Sequence, residues 1–332
     1  MNHSSALSPR NAMEEAAALV GDGLEAAVLE PSPPTVTTEP FFADDPISPP
    51  RIVGANSQLV VPTGVAGDLT WDDWLADHPE HADWVSQRWL GGHRRLPTPP
   101  ATLTATRTDL HRLAAYVVAP TRHTANGKFG LRSTLGGFGT PFFGDDRQVR
   151  VVGTQLVDQR AGDVRSAPIT TLAEAASFLG TEIRCDAGAE PDSPEVGDAD
   201  APLTVDPDAA NFLDAWFGMA FAGLEALRAD PKSVDPARPQ LWPGHFDPAI
   251  EEGDEDHRGS YGASPGDHTI DEPYLYVSVW WPDRLDIDTD DPYWNAPSFT
   301  GSILKLSDFP ADTDPVLVAR DFWIETRDRL TG

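Results

Sequence analysis

Cysteine is nearly absent from this chain. Cys185 is the only one in 332 residues, which excludes an intrachain disulfide and any zinc centre built from several thiolates of one chain. No histidine lies close in sequence to lower its pKa, and an acidic, proline-bearing loop follows it. The thiol therefore reads as a bystander in a reducing compartment rather than as a nucleophile. Lysine is scarce as well, at positions 128, 232 and 305 only. Basic charge as a whole is short, with 24 Lys and Arg against 53 Asp and Glu and a formal charge of -29. Such an excess repels phosphate backbones and anionic lipid heads at long range, so neither nucleic acid nor membrane is expected as a partner. The acids are spread over loops and form no like-charged ladder that would imitate DNA, so solubility explains them better. Long apolar runs are missing too. No stretch approaches the roughly 18 to 20 apolar residues of a membrane span, and no basic segment followed by an apolar one opens the chain. A cytoplasmic protein is expected.

What is present divides the chain unevenly. Residues 1–50 are rich in proline and acid and poor in large apolar side chains, too little burial to offset the entropy of ordering them, and are expected to be mobile. Residues 51–100 carry a helical stretch with Trp71, Trp74, Trp84 and Trp89, ended by Gly91 and Gly92 and followed by a linker with Pro97, Pro99 and Pro100. His78 and His81 lie in it three apart among acids, a spacing better suited to a solvated surface than to a metal. Residues 101–332 are expected to form an α+β domain in two halves, 101–185 and 202–332, joined by an acidic loop. The first half has the alternation of two or three antiparallel strands around Phe129, Leu131, Val149, Val151, Leu156 and Val157, then a short helix over 172–179. Gly136-Gly137-Phe138-Gly139 lacks a following Lys-Ser/Thr, and a turn or bulge between strands explains it better than a phosphate loop.

The clearest helix begins at Asp206, as cap, and Pro207. Phe212, Leu213, Trp216, Phe217, Ala220, Phe221, Leu224 and Leu227 recur at three- and four-residue steps, a wide apolar stripe that must be packed. Asp314 and Pro315 repeat the same start for a closing helix. Between them, Tyr274, Tyr276, Ser278 and Trp280 alternate with Leu275, Val277, Val279 and Trp281, the pattern of a central strand, and another short strand is expected near 302–306. No βαβ repeat appears. The expected fold class is α+β, a mainly antiparallel sheet packed against a long amphipathic helix and a C-terminal helix.

Chemistry-bearing residues concentrate between 241 and 281. His245 and Asp247 stand two apart and share a face if the segment is extended; such a pair suits general-base work, with the carboxylate orienting the imidazole, or a divalent metal. The plainer alternative is a histidine satisfying buried backbone groups at a strand start. Ser264-Pro265-Gly266-Asp267 carries the type II turn signature, which would fix Ser264 and Asp267 in place. Glu272 and Tyr274 follow closely. The spacing matches no H-E-x-x-H, EF-hand or zinc-finger pattern, and Ser264 lacks the nucleophile elbow of a serine hydrolase.

The strings L-W-P-G-H-F-D, Y-G-A-S-P-G-D, E-P-Y-L-Y-V and D-P-Y-W-N-A, with the earlier G-L-R-S-T-L-G-G-F-G-T-P, resemble those of a family of mainly actinobacterial proteins with no established activity. The resemblance covers roughly residues 100 to 332. It implies that both halves of that region form one unit and assigns no catalytic residue. The expectation from the residues is a pocket between the Asp206 helix and the strand after Pro273, holding a small polar ligand through His245, Asp247, Ser264, Asp267, Glu272 and Tyr274, with Arg132 as a partner for an anion. The alternative is a non-catalytic module in which the Trp-rich segment 69–90 docks a protein partner or a second copy.

Overall fold

The computed structural model describes residues 96–332 apart from positions 135, 142, 144–146, 161–162, 191–192, 229, 286, 289–290 and 312, together with two dipeptide strands, Phe42–Ala43 and Ser57–Gln58, that pair in parallel. The expected mobile segment 1–50, apart from Phe42–Ala43, and the Trp-rich stretch 69–90 with His78 and His81 lie outside the described residues.

Two antiparallel meanders form the body. The first runs β1 (Arg132–Thr134), β2 (Gly137–Gly139), β3 (Arg147–Val152), β4 (Gln155–Arg160) and β5 (Asp163–Pro168), in that spatial order. The second runs β6 (Gln240–Trp242), β7 (Asp247–Glu252), β8 (Gly259–Ser264), β9 (Tyr274–Val279) and β10 (Gly301–Lys305), each strand beside its sequence neighbour. Leu131 and Leu241 exchange backbone hydrogen bonds of 2.8 and 2.9 Å, stitching the end of one meander to the start of the other. The glycine-rich 136–139 run is a hairpin: Gly136 has φ 83°, and β2 pairs with β1 and β3.

Helices close the core. α1 (Leu103–Leu113) continues through a π-helical turn, Ala114–Val118, into α2 (Ala119–Asn126). Pro120 explains the irregular turn, because it has no N–H to give and its ring clashes with the carbonyl four residues back. That carbonyl, on Tyr116, accepts the Arg184 N–H at 3.1 Å instead. α3 (Leu172–Leu179) is capped by Thr171, whose hydroxyl accepts the Glu174 N–H at 3.1 Å. α4 (Pro207–Arg228) is capped by Asp206, which accepts from the N–H groups of Asp208 and Ala209. α5 (Pro315–Thr331) is capped by Asp314 in the same way. The stripe of α4 serves both sheets. Phe217 meets Phe138 of β2 edge-on at 6.2 Å, and the Trp216 indole donates to the Ala263 carbonyl of β8 at 3.3 Å. Leu275 and Val277, on the same face of the second sheet, are fully buried. The fold is α+β, with both sheets antiparallel and packed by α4 and α5.

Candidate functional site

The opposite face of the second sheet is polar. Tyr274, Tyr276 and Ser278 of β9 share it with Ser260 and Ser264 of β8 and Asp247, Ala249 and Glu251 of β7, and these residues form the floor of a cleft of about 1320 Å³. Thr104, Arg107, Thr108 and His111 of α1 supply one wall, and Glu190, Ser193 and Pro194 of the acidic loop supply another. This corrects the expected position. The Asp206 helix does not line the cleft, because its apolar stripe is consumed by the cores of both sheets; α1 takes its place.

Asp247 is the most buried charge-bearing group of the cleft, 4% exposed. Its Oδ2 accepts the Tyr276 hydroxyl at 2.6 Å, while Oδ1 is buried and has no hydrogen-bond partner among the described residues. Burial raises the Asp247 carboxyl above the ordinary carboxylate range, against the pull of the nearby His245 imidazole and of the Tyr276 hydrogen bond. Tyr276 reaches it across β8 because residue 262 is glycine. A Cβ there would stand 2.5 Å from both Cζ and the hydroxyl of Tyr276, so only a bare backbone lets the phenol lie down over the sheet.

The loop before β7 aims the other groups. Phe246 sits in the left-handed region at φ 58°, a conformation that costs a bulky residue roughly 1–3 kcal/mol. Its ring is fully buried, 5.1 Å edge-on from both Phe138 and Phe217 and stacked 5.3 Å from His111. Burying a Phe side chain contributes about 1.5–3 kcal/mol, enough to offset the strain. The turn, closed by the Phe246 N–H on the Trp242 carbonyl at 2.7 Å, breaks the extended geometry that the i, i+2 spacing suggested. His245 therefore takes Glu190 as its carboxylate partner, Nε2 to Oε2 at 2.9 Å, rather than resting on the shared strand face expected for His245 and Asp247. His111 is held neutral: burial lowers its pKa to about 4, and its Nε2–H donates to the Gly244 carbonyl at 3.0 Å.

At the far end, the 264–267 turn has the predicted form, with Gly266 at φ 97°. Arg107 pins it, donating to the carbonyls of Pro265 and Asp271 at 3.3 and 2.9 Å and pairing with the Asp271 carboxylate at 3.2 Å. The Ser264 hydroxyl accepts the Gly266 N–H at 3.2 Å. Asp267 accepts the N–H groups of Thr269 and Ile270 through one oxygen and the Tyr274 hydroxyl, at 2.5 Å, through the other. Of the six residues singled out in the sequence, His245, Asp247, Ser264, Asp267 and Tyr274 line the cleft. Glu272 does not; its carboxylate pairs with Lys305 at 3.3 Å and accepts the Ser307 N–H. Arg132 lies buried on β1, outside the cleft, because its strand belongs to the first sheet. No group of three or more His, Cys, Asp or Glu side chains is arranged to hold a metal ion among the described residues.

Sequence reasoning missed Tyr276, Glu190, Arg107 and His111. Tyr276 carried a signal, the period-two face it shares with Tyr274. Glu190 carried none, lying in an acidic loop far from His245 in sequence. No family model, curated protein or solved structure matches this chain. None of the described helices is long and apolar enough to cross a membrane.

Proposed function

We propose that the protein binds a small polar ligand in the cleft between α1 and the second sheet, anchored by Asp247, with His245 placed to exchange a proton with it. The observation that carries this reading is the bare Oδ1 of Asp247. A buried acceptor left unsatisfied costs about 1–3 kcal/mol, and a donor supplied by a ligand recovers that loss. Around it, aromatic surface from Trp242, Tyr274, Tyr276 and Phe299 is mixed with a few fixed polar groups, the usual make-up of a ligand site. His245, oriented by Glu190, has the carboxylate–imidazole arrangement of an acid–base group. The compartment we assign is the cytoplasm, where Cys185 would stay reduced.

A fragment screen read by amide chemical shifts tests the reading. Hits should perturb residues of β7 and β9 together with the 242–247 loop, and should weaken at least tenfold in Asp247→Asn, which keeps an acceptor for Tyr276. Hits that cluster elsewhere, or that ignore the substitution, would overturn it.

A further inference from the structure

We infer that the ligand is a linear organic polycation, an aliphatic chain carrying two or more ammonium groups, which binds along the floor of the cleft with one ammonium on Oδ1 of Asp247. This rests on the cleft reading above and assigns its chemistry. The first support is charge. Glu190, Asp247, Glu251, Asp267 and Asp271 all line the cleft, where Arg107 is the one permanently charged cation in the lining; Arg107 is spent on Asp271 and two backbone carbonyls, and Arg258 reaches Glu251 at 3.6 Å. An anion would meet an excess of like charge.

The second support is Asp247 itself. It is 96% covered and lines the cleft, its Oδ1 is buried with no hydrogen-bond partner among the described residues, and Tyr276 holds its other oxygen. A neutral donor would satisfy that atom, whereas a cation would also restore the charge that burial suppresses. The third support is length. A volume of about 1320 Å³ exceeds the range of roughly 300–1,000 Å³ typical of a site for one compact small molecule. The acids are also strung out along it. Asp267 and Asp271 stand at the Tyr274 end, and Glu251 lies four residues along β7 from Asp247, about 13 Å at the usual strand rise. Opposite-charge attraction at several points, in a cleft whose lining includes Tyr274 and Tyr276, suits an extended chain.

Binding should be linked to protons. An ammonium beside Asp247 favours the carboxylate, so the free protein holds the proton over a pH range in which the complex has lost it, and affinity should rise as pH rises through the elevated pKa of the free group. Other titratable groups in the cleft are Glu190, His245 and His111 on one side, Tyr274 and Tyr276 below, and Arg107, Asp267, His268, Asp271 and Glu251 towards its ends. The Asp247→Asn variant below separates the contribution of Asp247 from those of its neighbours.

Calorimetric titration of the full chain with spermidine tests the inference, alongside 1,8-octanediol as a neutral chain and citrate as an anion. Spermidine should bind wild type with proton release, seen in buffers of different ionisation enthalpy. Asp247→Asn, with its melting temperature checked, should bind at least tenfold more weakly and lose most of the proton release. Tyr276→Phe should keep binding but shift its pH midpoint upward, because Asp247 loses the hydrogen bond that favours its charged form. Glu255→Gln, at a carboxylate 92% exposed and outside the cleft, should bind as wild type does. Equal losses in Asp247→Asn and Glu255→Gln would reduce the effect to surface charge and overturn the inference. Asp247-dependent binding of the diol or citrate in place of spermidine would overturn the polycation while leaving the cleft reading intact. Failure of all three probes to perturb the cleft would remove the polycation, and the fragment screen would then decide whether the cleft reading falls with it.

Discussion

Two aspartates of like burial, one in each sheet, are in opposite states. Asp158 on β4, 1% exposed, is surrounded by guanidinium groups: Arg147 at 2.7 Å, Arg165 at 2.6 Å and Arg160 at 3.6 Å. Burial alone would raise its carboxyl, but the hydrogen bonds from Arg147 and Arg165 and the charges of Arg147 and Arg160 outweigh it and hold the group below the usual carboxylate range. Asp247 on β7, 4% exposed, has a phenol and no such cation, and burial prevails. The first arrangement ties strands to the end of α3, since Arg147 also donates to the Leu179 carbonyl at 2.8 Å. The second ties nothing further down. A buried carboxylate that is fully partnered explains itself within the fold, and the half-partnered Asp247 is the one on which the proposed function rests.

Neutralising each aspartate separates their two states most directly. Asp158→Asn should cost about 3 kcal/mol in urea unfolding at pH 7, the low end for stripping a buried charge of its counter-ion, because Arg160 and Arg165 can turn to water. Asp247→Asn should change stability by less than about 1 kcal/mol, since Tyr276 keeps an acceptor. Next in size is Arg107→Ala, which removes the pin from the 264–271 turn. A loss of about 2 kcal/mol is expected for charged hydrogen bonds, and hydrogen exchange should accelerate over 264–271 while β3 and β4 stay protected. Arg107→Lys should not rescue it, because one ammonium does not reproduce a fork across two carbonyls and a carboxylate.

Glycines sharpen the same contrast. In the first sheet, a Cβ on Gly139 would stand 2.4 Å from the Val149 backbone carbonyl, whereas on Gly262 it meets the end of a side chain. Gly139→Ala should therefore destabilise more than Gly262→Ala, for which about 1–2 kcal/mol is expected. Gly262→Ala should still lift Tyr276 off Asp247, visible as an altered Tyr276 ring resonance.

The smallest effect is in the pH dependence, where the two aspartates have opposite signs. Asp158 titrates lower folded than unfolded, so its contribution is present above the unfolded pKa and is lost as pH falls through the folded one. Asp247 titrates higher folded than unfolded, so its contribution is present below the unfolded pKa and is lost as pH rises through the folded one. In unfolding curves taken from pH 3 to 8, Asp158→Asn should flatten the acid loss and Asp247→Asn should flatten the later decline.

Much of this was legible from local chemistry. Asp206-Pro207 and Asp314-Pro315 announced two helix starts, Ser264-Pro265-Gly266-Asp267 its turn, and the alternation over 274–279 a strand inside a sheet. The helical run over 103–126 was not legible, because Pro120 reads as a stop and only a tertiary partner, the Arg184 N–H, makes its cost tolerable. The wall of the cleft was misassigned for a related reason. An aromatic stripe like that of α4 looks the same whether it faces a ligand or two cores, and only the packing of both sheets decides. The pairing of His245 with Glu190 depends on a left-handed Phe246, a conformation that local propensity disfavours and that tertiary burial imposes.

The measurement that bears most directly on this account is a carbon-detected NMR titration of the Asp158 and Asp247 carboxyl resonances in one sample, repeated with spermidine. Asp158 should titrate below the ordinary aspartate value of about 3.9 and Asp247 above it, with spermidine drawing Asp247 down and leaving Asp158 unmoved. An Asp247 carboxyl that titrates at or below the ordinary value in the free protein would contradict it.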